Sequence, residues 1–186
     1  MVRDTPEATR EALHTASAQA DVVITCGGVS VGEEDHVRAA VESMGHIDLW
    51  QIAMKPGKPL AYGKVNNSDF IGLPGNPVSA FVTFVLMAQP FLQARMGLPV
   101  TSQMAVGQKM VAGFNWPEPD RRREFLRARP ARQADGSVVL EIWPNQGSGV
   151  MSSVAWAHGL IDVPAGQTIQ AGDTVHYIPF NRLLSD

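Results

Sequence analysis

A single cysteine, Cys26, stands in 186 residues, so the chain can form no internal disulfide and no thiolate zinc cluster. One lone thiol fits a reducing compartment, and a cytoplasmic location is expected. The five histidines, His14, His36, His46, His158 and His176, form no metal-ligand spacing. The Ser, His and Asp residues form no nucleophile elbow either. Charge is nearly balanced at −3, which excludes a nucleic-acid partner attracted by bulk electrostatics. The chain does not open on a cationic stretch followed by an apolar one, so no secretory signal is expected. Its most apolar run, VSAFVTFVLMAQPFL (78–92), is shorter than the ~20 residues of a membrane span and carries Ser, Thr, Gln and Pro. That run is read as a buried helix, and no membrane association is expected.

What is present divides into two patterns. Thr5, Pro6 and Glu7 supply an N-cap, a proline at the first helical position and an acid in the first turn, opening a helix with Ala8, Ala12, Leu13 and Ala16 on one face. DVVIT (21–25) reads as a buried parallel strand, followed by a glycine loop and a helix on which Val37, Ala40, Val41 and Met44 recur, with Gly45 as its C-cap. Residues 47–54 read as the next strand, 55–59 as a rigid turn, and 60–73 as a hairpin turning at Asn66 to Asp69. Asn76 caps a long apolar helix to about Met96, ended by Gly97. Beyond it the sequence turns to β-branched runs and glycine turns, with strands expected at 103–111, 123–130, 137–143 and 173–179. The expected domains are therefore 1–97, α/β, and 98–186, mostly β.

Four segments fall at strand ends of the α/β part, where ligands of such sheets collect: Asp4, the loop 25–35, KPGKP (55–59) and LPGNPVS (73–79). Gly27 and Gly28 permit close backbone approach to an anion, and Ser30 adds a hydroxyl, although a GG pair also serves a plain tight turn. Asp35 and Asp4 have two readings each, helix capping or metal ligation, and a carboxylate beside an anion loop makes chemical sense when a divalent cation bridges them. Lys55 and Lys58 sit in a turn stiffened by two prolines and suit an oxyanion. Arg122, Arg123 and Arg127 read either as anion ligands or as a solvated strand face, and the QGSG loop (146–149) as a weak donor motif.

Taken in order, GGVSVGEED (27–35), KPGKPLAYG (55–63), GLPGNPVSA (72–80), RREFLR (122–127) and QGSG (146–149) closely resemble the MoeA/gephyrin E-domain family of molybdopterin molybdenumtransferases. The resemblance spans essentially the whole chain. It implies a three-layer α/β/α domain of MoaB/Mog type, truncated before its first β-α unit, followed by a small barrel-like β domain. It further implies insertion of molybdate into adenylylated molybdopterin with release of AMP, using Mg²⁺ or another divalent cation, as part of a longer, homodimeric chain that meets adenylyltransferase or molybdoenzyme partners transiently. Carried over by position, Asp35 and Asp4 match the metal and catalytic acids, and Lys55 and Lys58 the lysines near phosphate and molybdate. Gly27, Gly28, Ser30, Pro74, Asn76, Pro77 and Ser79 match the cofactor loops; Arg122 or Arg123 and Ser148 complete an oxyanion pocket. Two rival functions are a Mog-type adenylyltransferase, disfavoured by GGVS in place of GGTG and by the added β domain, and a non-catalytic gephyrin-like scaffold.

Overall fold

In the computed structural model, which describes residues 2–29, 36–99 and 107–183, the Thr5 hydroxyl accepts the Ala8 N–H at 3.3 Å and starts helix α1 (Pro6–Ser17), as its capping sequence predicts. The helix buries Leu13 and Ser17. Strand β1 (Val22–Cys26) follows, then helix α2 (His36–Met44), which buries Ala40 and Val41. Gly45 does not cap α2, contrary to expectation. It begins strand β2 (Gly45–Trp50) directly and pairs with Val65; a Cβ there would collide with the Lys64 carbonyl, so the glycine is required by close strand approach instead.

The strand expected over 47–54 is interrupted. Gln51 adopts φ +74°, the chain breaks direction, and Met54–Lys55 forms a separate short strand β3. Strands β4 (Ala61–Val65) and β5 (Ser68–Leu73) make the expected hairpin, with Asn66 at φ +50° in its turn. The sheet runs β1-β5-β4-β2, with β1 and β5 parallel and the other pairs antiparallel. Val23, Phe70, Ala61 and Val65 form one core with Leu13 and Val41 of the two helices. Helix α3 (Pro77–Thr83) packs against β5.

Past α3 the helical run continues as a π-type turn (Phe84–Ala88) and helix α4 (Gln89–Arg95). Pro90 has no N–H to donate back one turn, and the change of hydrogen-bond pattern falls beside it. Over Pro77–Arg95 the run is long and apolar enough to cross a membrane by length and composition alone. Its burial is uneven: Val78, Val82, Val85 and Leu86 are buried, whereas no residue of α4 is. The expectation of a buried helix thus holds for the first part of the run and not for α4. Gly97, at φ +77°, ends the run, with the Leu98 N–H donating to the Gln93 carbonyl at 2.9 Å.

Contacts divide the chain into two compact units, residues 1–52 with 57–83, and residues 53–56 with 84–186. The chain thus changes unit inside its long helical run, and the short β3 segment belongs with the second unit. There β6 (Gln108–Val111), β7 (Arg123–Arg132), β8 (Val138–Ile142), β9 (Gly159–Val163) and β10 (Thr174–Pro179) form a sheet ordered β3-β7-β9-β10-β6, with β8 also on β7. A bridge between Ala112 and Leu140, with the Gly113 N–H donating to the Leu140 carbonyl at 2.8 Å, joins the end of β6 to β8 and closes the barrel-like ring. Leu126, Ala128, Leu140, Ile161 and Tyr177 fill its core. Strand β9 was not expected: all five of its residues are buried, so it lacks the alternation by which a half-exposed strand is read. Two short helices, α5 (Ser152–Trp156) and α6 (Phe180–Leu183), complete the unit. A mixed α/β domain followed by a β-rich one is the architecture the sequence predicts.

Candidate active site

In the first unit, the carboxyl ends of the parallel strands β1 and β5 lie side by side because their registers pair Cys26 with Leu73. The Gly27 N–H donates to the Leu73 carbonyl at 2.9 Å. Gly27 and Gly28 both have positive φ, +88° and +70°, and a Cβ on Gly28 would overlap the Val37 side chain. A Cβ on Gly75 would lie 3.5 Å from the Gly27 Cα, so the two loops meet backbone to backbone. Pro74 and Ser79 are buried here, Asn76 and Pro77 exposed, and the Asn76 carbonyl accepts the Ala80 N–H at 2.9 Å in the first turn of α3. The structure therefore brings the Gly27 turn against the Gly75 turn, next to the start of α3.

Lys58 is exposed, and its carbonyl accepts from both Ile52 and Leu60, at 3.0 and 3.1 Å, which fixes the turn from below. No ion pair engages its ammonium among the described residues. Asp4 is also exposed. Ser30 and Asp35 lie outside the described residues. Among the described residues no three His, Cys, Asp or Glu side chains gather as a metal site, so the fit of a divalent cation turns on Asp35.

The second unit holds Lys55 in an acidic clamp. Lys55 Nζ lies 2.9 Å from Glu124 Oε1 and 3.2 Å from Asp120 Oδ2. The Glu124 bond, then those of Asp120, raise the Lys55 pKa above its ordinary value against the opposing effect of burial. Asp120 is in turn saturated by Arg122, whose backbone N–H and Nε donate to Oδ1, both at 2.9 Å, and whose Nη2 donates to Oδ2 at 2.8 Å. Those bonds hold the Asp120 carboxyl well below the usual carboxylate range. The other oxygen of Glu124 accepts the Trp116 Nε1–H at 3.0 Å.

Arg123 points elsewhere, pairing with Asp162 through two bonds of 2.6 and 2.7 Å, with His176 Nδ1 at 3.6 Å from the same carboxylate. Both arginines expected in the oxyanion pocket thus carry an acidic partner. Arg127, read beside them, has none among the described residues. It is 1% exposed and donates to the Ser153 hydroxyl (3.1 Å) and the carbonyls of Phe125 (3.2 Å) and Gly147 (3.3 Å). Burial without a carboxylate pushes its pKa down to about 10. Gln146 adds two bonds to the Arg127 backbone, so the QGSG loop carrying the half-buried Ser148 is tied down over this guanidinium. Sequence reading missed Asp120, Glu124, Trp116 and Asp162. The signal available was the acid on each side of R121-R-R123, since charges of opposite sign packed that closely tend to pair with one another.

The family described as "Probable molybdopterin binding domain" matches residues 1–94, and "MoeA C-terminal region (domain IV)" matches residues 109–180. The molybdopterin molybdenumtransferase of Haemophilus influenzae is 38% identical over 175 residues, covering 94% of this chain and 43% of that protein. Its counterpart from Nostoc is 40% identical over 181 residues, covering 94% of this chain and 41% of that one. A solved structure of the MoeA molybdopterin biosynthesis protein from Pyrococcus horikosii aligns with a TM-score of 0.71 at 26% identity, over 96% of this chain and 42% of that chain. The chain therefore spans less than half the length of these relatives. A glycine-lined loop pair in an α/β unit, followed by a closed β unit with its clamped lysine and buried arginine, is what these matches span, and the chain belongs to the MoeA family of molybdenum cofactor biosynthesis.

Proposed function

We propose that this chain supplies the molybdopterin-binding and C-terminal domains of a molybdopterin molybdenumtransferase, which inserts molybdate into adenylylated molybdopterin and releases AMP. The observation that carries this reading is the backbone contact of the Gly27 and Gly75 loops at the ends of β1 and β5, because loops without side chains at the carboxyl ends of parallel strands let an anionic group approach the backbone closely. Lys58, without an ion pair among the described residues, attracts the tetrahedral dianion molybdate as it would sulfate or phosphate. Lys55 keeps its charge through Glu124 and serves as an electrostatic donor rather than a nucleophile. Arg127 places positive charge under the Ser148 loop. A divalent cation, Mg²⁺ or another, would be held by Asp35, with Asp4 as a second acid, and would neutralise the phosphoanhydride. The homodimer, the cytoplasmic location and transient contact with adenylyltransferase or molybdoenzyme partners belong to the same reading.

The test is to supply adenylylated molybdopterin, a divalent cation and molybdate to the protein that carries this sequence, and to follow AMP. Molybdate-dependent release is expected, reduced at least ~10-fold by Asp35→Ala. Release that does not depend on molybdate, or that survives Asp35→Ala unchanged, refutes the reading.

A further inference from the structure

The two acids around Lys55 are not equivalent. Asp120 is already satisfied by three bonds from Arg122. Glu124, 2% exposed at the start of β7, has Lys55 as its one ion pair within 4 Å among the described residues, and the Trp116 Nε1–H orients its second oxygen. A carboxylate so deeply placed stays ionised only if a charge and a donor compensate for the water it has lost. The dependence runs both ways. Lys55 Nζ meets Glu124 and Asp120 as ion pairs at 2.9 and 3.2 Å, and with its side chain 40% exposed the ammonium can still donate outward. The arrangement resembles a bracket, in which β7 and Trp116 hold the carboxylate and the carboxylate holds the lysine.

We infer that Glu124 is a positioning residue: screened from substrate itself, it fixes the Lys55 ammonium in place as an oxyanion donor. This rests on the role given to Lys55 above. It adds a residue whose contribution passes wholly through another.

The first readout needs no catalysis. Acetylation of the chain by an N-hydroxysuccinimide ester at mildly alkaline pH, quantified lysine by lysine by mass spectrometry, reports the fraction of each amine that is deprotonated. Glu124→Gln is expected to speed labelling of Lys55 about tenfold, while Lys58, Lys64 and Lys109 are unchanged. An unchanged Lys55 rate overturns the inference. Should Glu124→Gln fail to fold, Trp116→Phe loosens the same carboxylate while keeping its charge; a roughly twofold rise in Lys55 labelling supports the inference and no rise overturns it.

The second readout is molybdate binding by calorimetry. Weakening of about tenfold by both Lys55→Ala and Glu124→Gln supports the inference. Loss of binding on Lys55→Ala with none on Glu124→Gln overturns it. If Lys55→Ala leaves binding unchanged while labelling still responds to Glu124, the coupling stands and the functional reading of Lys55 is what fails.

Discussion

The Arg127 guanidinium donates to the Gly147 carbonyl at 3.3 Å, beneath a loop whose other end it reaches through the Ser153 hydroxyl at 3.1 Å. A full charge is thus held in the β unit by carbonyls and a hydroxyl, with no carboxylate beside it among the described residues. Replacing it by alanine removes the charge but orphans those acceptors and leaves a cavity. Arg127→Ala is expected to destabilise the protein by about 3 kcal/mol, read as a lower urea midpoint. A change under about 0.5 kcal/mol would mean that the loop is held by other means.

Gly28 has φ +70° and faces the Val37 side chain where a Cβ would stand. Gly28→Ala combines left-handed strain with overlap and is expected to cost about 2 kcal/mol in thermal or chemical unfolding. Gly136→Ala, also at positive φ (+86°) but with nothing within 4 Å, is its control. It carries the strain alone and should cost less.

Lys58 is exposed and free of ion pairs among the described residues, so Lys58→Ala should leave stability within about 0.5 kcal/mol. Molybdate binding by calorimetry should nevertheless weaken by about tenfold. Unaltered binding would remove Lys58 from the site.

Asp120 has a folded pKa below its ordinary value, chiefly through its hydrogen bonds from Arg122. A depressed carboxylate stabilises the fold above its unfolded pKa, near 3.8, and loses that contribution as pH falls towards the folded value. The stability gap between the parent and Asp120→Asn should therefore be widest near neutrality and narrow as the pH drops below about 4. Urea titrations at neutral and acidic pH measure it. A gap independent of pH would contradict the pairing.

Lys55 behaves in the opposite sense. Its folded pKa is raised, chiefly by Glu124, so its contribution is fully present below the unfolded value, 10.5, and is lost as pH rises through the folded one. Lys55→Met should therefore destabilise the protein at neutral pH, and the difference from the parent should shrink on strong alkalinisation.

Much of the first unit was legible because its signals are local. Thr5 caps α1 using atoms three residues away, the Asn66 turn follows from hairpin chemistry, and the β1 and α2 cores come from apolar residues at regular spacing. Glycine proved harder to read. Gly45 looks like a helix terminator, yet it is spared a side chain because Lys64 of the neighbouring strand lies against it, a distance no local window contains. Strand β9 was missed because it is buried on both faces, and β3 because a two-residue strand exists only by pairing with Arg123 and Glu124.

The candidate site divides in the same way. By itself, the sequence determined that glycine loops, a proline-stiffened lysine turn and an arginine run are present and in what order, since residue type and spacing are properties of the chain. Only the tertiary structure decided which charges are already spent. Arg122 and Arg123 face acids, Lys55 is bracketed by Glu124 and Asp120, and Arg127 alone of the three arginines considered for the pocket is buried without one among the described residues. The physical reason is that charge pairing is settled by distances of about 3 Å between side chains. Strand register and barrel closure set those distances, and no pattern along the chain encodes them.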